Sequence, residues 1–487
     1  MNFFSSISEF SRRSNWSIAV IQRKGNFRSI QLLAVVNLFW LIGYYPGAFP
    51  KDGIQIWNQA LFNEYSDWHP VINALFLKVF SFNCVFPAGI SIVQTLLMDY
   101  CIFLLLSKLR PKYSFARNMF ITSLIMLTPF AGSFAVTVIK DTPYTILSLV
   151  GIILIFSNSS RRWNLPLGAS IFMIGSLFRQ EGFVISTGCF LVLLIYIFVK
   201  RFTPGESHVG IKITVTLGIC ALVGAIALPL LGSMVNSSPT PPWFKYSPLL
   251  ADLAYVADTS PSSISTKDYN TIKAIFKDNS LSTALNCRSF NDLLNSGFDE
   301  NYASKSANSI PSIWLRTLKS TAGNDMMKFH FCRGSQYVIP PFASVPNFEA
   351  SGMPVPWTYF GIWKSEDAQL AYPNARNFKL VGLMTNTWRQ FWMFNGEFLA
   401  WPGLHILLIL LLAPYFYYTA NKSLVLGIVL FCFVRNTYSM WFTAGPDYRY
   451  ALSTHIVSVT LLLIAIVDIL PSVSKALSKI SEGYKSS

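Results

Sequence analysis

Ten stretches of roughly 20 apolar residues, several of them shorter, decide what this chain can fold into. They run at about 29 to 46, 86 to 109, 118 to 138, 142 to 157, 164 to 178, 182 to 199, 211 to 234, 399 to 419, 423 to 441 and 450 to 470. A backbone in hydrocarbon must satisfy its own N–H and C=O groups, so runs of this length form helices. The sequence predicts an all-α polytopic membrane protein with about ten transmembrane helices, in a range of about 9 to 13. Composition agrees, since 52% of the 487 residues are hydrophobic, 13% are charged and the mean hydropathy is +0.42.

Lys and Arg occupy alternate gaps. Arg12, Arg13, Arg23, Lys24 and Arg28 precede the first span; Lys108, Arg110, Lys112 and Arg117 follow the second; Arg161 and Arg162, Lys200 and Arg201, Lys422, then Lys475, Lys479 and Lys485 fill the rest. The positive-inside rule makes these gaps and both termini cytoplasmic. The formal charge of +15 is therefore membrane anchoring, because segment 235–398 holds 14 basic and 12 acidic residues. No basic face or RNA-binding motif points to nucleic acid. Val71 to Phe80 reads as a helix in the outer interface, since counting it as a span would put Arg110 to Arg117 outside. The first span lacks a cleavage site and is expected to remain as an anchor.

Three regions result: 1–234, an N-terminal membrane region whose first outer loop is 47–85; 235–398, an extracytoplasmic domain; and 399–487, a C-terminal membrane region. Within the middle region, helical patterns cover Lys267 to Lys277 and Ile313 to Phe331. Pro340-Pro341, Pro346 and Met353 to Pro356 mark extended or turning chain. Trp388, Phe391, Trp392 and Phe394 form an aromatic anchor at the membrane surface. Cys287 and Cys332 are either a disulfide closing a loop of about 45 residues or two free thiols, and an oxidising compartment favours the bridge. Cys84, Cys101, Cys189, Cys220 and Cys432 lie in or beside apolar spans and act as small hydrophobes. Zinc-ligand spacing, a phosphate-binding glycine loop and a Gly-x-Ser-x-Gly elbow are all absent from the sequence.

Charged residues in the outer gaps carry the functional signal. Asp52 follows the first span in a Pro- and Gly-rich turn, and is either a general base or a solvated aspartate paired with Lys51. His69 stands before Pro70, extended, and either orients a ligand or caps the interface helix. Glu64 and Asp67 read as structural. Lys140-Asp141 and Arg179-Gln180-Glu181 fill the next two outer gaps, and Arg449 lies in Gly445-Pro446-Asp447-Tyr448-Arg449-Tyr450 at the mouth of the last span. Positive charge on this side runs against the topological bias, so Lys140, Arg179 and Arg449 are candidates to hold a phosphate. Arg435 and Asp99 lie within spans, where ionisable groups default to function, with a structural contact the alternative for Asp99.

The run Tyr45-Pro46-Gly47, Asp52, Gln55 and Asp67-Trp68-His69-Pro70 resembles the first outer loop of a bacterial family of integral-membrane proteins in the GT-C glycosyltransferase clan. The similarity continues through Gln94, Lys140-Asp141, Leu249 to Asp252 and Trp314. Lys51 and Gly53 depart from the small or polar residue and the serine expected on either side of the aspartate. The resemblance implies an inverting transfer with Asp52 as the first-loop catalytic acid and Asp141 as the acid after the third span; Lys140, Arg179 and Arg449 are phosphate-binding candidates by topology alone, with His69 expected to assist catalysis and Gln55 and Glu181 expected to bind substrate. The donor would be a polyprenyl-phosphate sugar and the acceptor a glycan or lipid. It also implies a bacterial inner (plasma) membrane, with the active site on the periplasmic or extracytoplasmic face. No organic cofactor is required; a divalent cation at Asp52, Asp141 and Glu181 is an open option. Rival readings are a surface-glycan polymerase or ligase, using outer Arg and His, and a lipid-linked glycan flippase, for which broken midplane helices and an inverted repeat are expected.

Overall fold

The computed structural model describes residues 25–157, 163–200, 207–277, 281, 297–334, 401–442 and 451–485. Among them the chain is helical, with isolated β-bridges in place of strands. Helix α1 (Gly25–Gly43) leads to α2 (Lys51–Phe62) and α3 (Val71–Phe80), then α4 (Ala88–Leu109), α5 (Phe115–Leu127), α6 (Pro129–Ala135), α7 (Asp141–Phe156), α8 (Asn164–Ser176), α9 (Gly182–Lys200) and α10 (Ser207–Met234). Then come α11 (Ser247–Thr259), α12 (Thr266–Ile275), α13 (Glu300–Ser306), α14 (Ile310–Leu318) and α15 (Gly323–Gly334). The last are α16 (Pro402–Thr419), α17 (Lys422–Phe442) and α18 (Leu452–Lys485). Among the described residues seven helices, α1, α4, α9, α10, α16, α17 and α18, are long and apolar enough to cross a membrane, and α3, α5, α7 and α8 are shorter apolar helices. The chain is a multi-pass membrane protein.

The continuous span expected at 118–138 is broken. Thr128 is extended and Pro129 opens α6, because proline has no N–H to continue the helical ladder. The carbonyls near the break find other donors: Trp40 Nε1 donates to Met126 O at 2.7 Å, and Thr128 donates to Ile125 O through N and Oγ1 at 2.9 and 2.6 Å. Gly132 admits the Trp40 ring, since a Cβ there would lie 2.0 Å from Trp40 Nε1.

Helix α7 is the hub of the apolar core. It is buried along its whole length and packs on α4, α8 and α17, joining Met98, Ile102, Leu149, Ile153, Phe172 and Phe431 in one cluster. Because every face meets protein, α7 shows little of the one-sided patterning of a surface helix. Asn37 Nδ2 donates to Asp99 Oδ2 at 2.6 Å, so the intramembrane aspartate ties α1 to α4.

Helices α11 to α15 share a second core around Trp243, Leu250, Val256, Ile310, Ile313 and Met326. The pattern at 267–277 forms α12, whereas that at 313–331 divides into α14 and α15. Ser320 Oγ donates to Thr317 O at 2.7 Å and accepts from Ala322 N at 3.3 Å, and this local bonding competes with the helical ladder. Asp252, fully buried on α11, accepts from Trp314 Nε1 and from His330 Nδ1, both at 2.9 Å. Helix α15 rests on α17, with the His330 and Phe331 rings 5.2 and 5.0 Å from the Trp441 ring. Cys332 is disulfide-bonded; Cys287, its expected partner, lies outside the described residues, as do the proline-rich run and the aromatic group from Trp388 to Phe394.

Candidate active site

One short backbone pairing builds the site. Ala48 N donates to Val136 O at 3.1 Å and Val138 N donates to Ala48 O at 2.8 Å, so the chain leaving α1 runs beside the link between α6 and α7. Gly53 then lies against that link, where an added Cβ would be 2.2 Å from Val138 O. The departure from serine noted in the sequence thus has a steric reason: the close approach brings the first turn of α2 to the start of α7.

Asp52 occupies that first turn, so it stands on a helix rather than in the expected turn. Its Oδ2 is 3.9 Å from Lys140 Nζ, which also lies 3.2 Å from His69 Nδ1. His69 Nε2 is 2.8 Å from Oε1 of Gln55, one helical turn beyond Asp52. Four residues from α2, the α2–α3 loop and the α6–α7 link therefore form one polar chain. His69 is 1% exposed, and Pro70 rather than His69 caps α3.

Beside it lies a second group. Arg179 forms ion pairs with Asp141, the first residue of α7, and with Glu181. Burial alone would raise the Glu181 carboxyl, but the Arg179 guanidinium and the Lys140 ammonium outweigh it and hold the group below the ordinary carboxylate range. Glu181 is thus ionised at neutral pH, and Lys140 links the two groups. Arg435, 2% exposed on α17, places its guanidinium carbon 4.3 Å from the centre of the Tyr144 ring and within electrostatic reach of Arg179 and Glu181.

Of the residues chosen from sequence, Asp52, Gln55, His69, Lys140, Asp141, Arg179 and Glu181 come together, and Arg449 lies outside the described residues. Arg435 and Tyr144 join them. Arg435 carried a signal as an ionisable residue in a span, whereas Tyr144 resembled any other apolar position. Among the described residues no three His, Cys, Asp or Glu side chains are set to hold a metal ion. Asp141 and Glu181 are drawn onto Arg179 and Asp52 stands by Lys140, so a cation at these acids would have to displace their bases.

The rest of Asp67-Trp68-His69-Pro70 is a joint. Ser237 Oγ donates to the Asp67 carboxylate, Gln180 Nε2 donates to the Asp67 carbonyl, and Asp67 N donates to Ser238 O at 2.9 Å. The Trp68 ring lies 4.2 Å from Phe244, at the edge of the second core. Glu64 is exposed. No family model, no curated protein and no solved structure matches the chain.

Proposed function

We propose that the chain is an inverting glycosyltransferase that moves a sugar from a polyprenyl-phosphate donor to a cell-surface glycan or lipid acceptor on the extracytoplasmic face. The supporting observation is a carboxylate, Asp52, beside a run of cations at one end of an apolar helix bundle: Lys140 next to it, then Arg179 and Arg435. Transfer needs a base for the acceptor hydroxyl and positive charge for the departing phosphate. Asp52 takes the hydroxyl proton as the acceptor oxygen bonds to the anomeric carbon. The bond from that carbon to the phosphate oxygen breaks, its electron pair leaves with polyprenyl phosphate, and attack from the opposite face inverts the centre. Lys140 and Arg179 balance the charge that develops, while Asp141 and Glu181 fix the Arg179 fork. A donor carried on a lipid suits a site whose walls are membrane helices, and the likeness to the GT-C clan supports the same chemistry.

The test offers the protein in lipid nanodiscs two panels of radiolabelled donors, polyprenyl-phosphate sugars and nucleotide sugars. Transfer from the lipid-linked panel, with an inverted product, is expected. Transfer from nucleotide sugars alone, or with retained configuration, contradicts the reading.

A further inference from the structure

An ammonium has hydrogens to give and no lone pair to receive one. The 3.2 Å contact between Lys140 Nζ and His69 Nδ1 therefore requires Nδ1 to be the unprotonated ring nitrogen. Nε2 then carries the hydrogen and donates it to Gln55 Oε1 at 2.8 Å. Helix α2 thus supplies both the Asp52 carboxylate and the amide oxygen that accepts from the ring, while Lys140 selects the tautomer.

With that tautomer, His69 competes with Asp52 for Lys140. An ammonium in full contact with a carboxylate sits at about 2.8 Å, but here the separation from Asp52 is 3.9 Å while His69 holds the shorter contact. Closer approach would favour the ionised carboxylate and weaken it as a base. Among the described residues, Glu181, whose field reaches Lys140, and beyond it Arg179 with Asp141 are further charged groups on this side. We propose that His69 is a positioning residue for Lys140: its Nδ1 holds the ammonium back from Asp52, so the carboxylate keeps its basicity while the cation stays near enough to meet a departing phosphate. The proposal rests on the reading of Asp52 as the base.

Two amide substitutions separate positioning from packing. In His69→Asn the side-chain oxygen can stand where Nδ1 stands, keeping an acceptor for Lys140 and giving up Gln55. In His69→Gln the amide reaches the place of Nε2, keeping Gln55 and withdrawing the acceptor. At matched amounts of monodisperse protein, His69→Asn is expected to keep transfer within several-fold of wild type, whereas His69→Gln loses about 100-fold or more in kcat with little change in KM. Equal losses, or the reverse order, overturn the proposal. Nitrogen-15 spectra of the full chain with labelled histidine provide a readout that needs no activity, since the protein has five histidines and His69→Asn identifies the signal. The expected spectrum is a neutral ring protonated at Nε2 that redistributes toward the other tautomer in Lys140→Met. A ring protonated at Nδ1, or signals indifferent to Lys140→Met, overturns the proposal even where no donor yields product.

Discussion

A Cβ on Gly53 would meet Val138 O at 2.2 Å, and that oxygen belongs to the backbone, which has little room to yield. Gly53→Ala should push α2 off the link and separate Asp52 from Lys140. The expected cost is about 1–3 kcal/mol of stability, read as earlier thermal unfolding in detergent, together with loss of transfer. Unchanged unfolding would contradict the close approach. Arg179 bears on stability differently. Arg179→Gln takes the shared guanidinium from the buried Asp141 and from Glu181, and breaking such a buried pair costs about 3–5 kcal/mol. The Glu181 pairing also gives stability a pH dependence of known sign. Its folded carboxyl lies below the unfolded value of about 4.3, so its contribution is complete above that value and is lost as pH falls through the folded one. Melting of wild type and Glu181→Gln should differ at pH 7 and converge in acid; a gap that widens in acid would refute the assignment. Ionisable residues at the ends of apolar runs were legible because charge there is costly. Their partners were not, since Asp52 meets Lys140 only through the folding of α2 against a distant link.

Between elements, the break at Thr128-Pro129 is held open by a side chain from another helix. Trp40 on α1 supplies the donor for Met126 O and packs against Gly132 on α6. Trp40→Phe keeps the ring but removes the donor, leaving a carbonyl inside an apolar environment at a cost of about 1–3 kcal/mol. Thermal unfolding checks this, and a variant as stable as wild type would show that the bond carries no net weight. Hydropathy could not show the break, because proline within an apolar run is compatible with a kinked but continuous helix when neighbours satisfy the freed groups. The division between α14 and α15 was hidden for a related reason: Ser320 fits the apolar period around it but uses its hydroxyl on the backbone. The Asp-Trp-His-Pro run, by contrast, was legible as a unit and proved mixed in duty. Asp67 and Trp68 join the loop to the chain just after α10 and to the second core, whereas His69 turns toward the polar chain at Asp52.

For the whole molecule, run length and apolar content sufficed to read a multi-pass helical protein; among the described residues seven of the ten apolar stretches correspond to long helices, while those at 118–138, 142–157 and 164–178 correspond to shorter ones. What hydropathy leaves out is depth of packing: α7 and α8 are as apolar as their neighbours, yet only α7 is enclosed along its whole length. That enclosed helix begins at Asp141 and Tyr144, so the most buried element of the bundle also presents the site's acid and ring at its end. Rigid support of this kind suits a reaction in which a base and a phosphate-binding cation must stay in register with a lipid-borne sugar. The central claim is that Asp52 performs base catalysis in such a transfer. The direct measurement is sugar incorporation from radiolabelled polyprenyl-phosphate sugars, comparing wild type with Asp52→Asn at matched expression and equal thermal stability. Incorporation by wild type and its loss in Asp52→Asn is the expected result; equal incorporation by both would contradict the claim and favour a polymerase or ligase working through Arg and His.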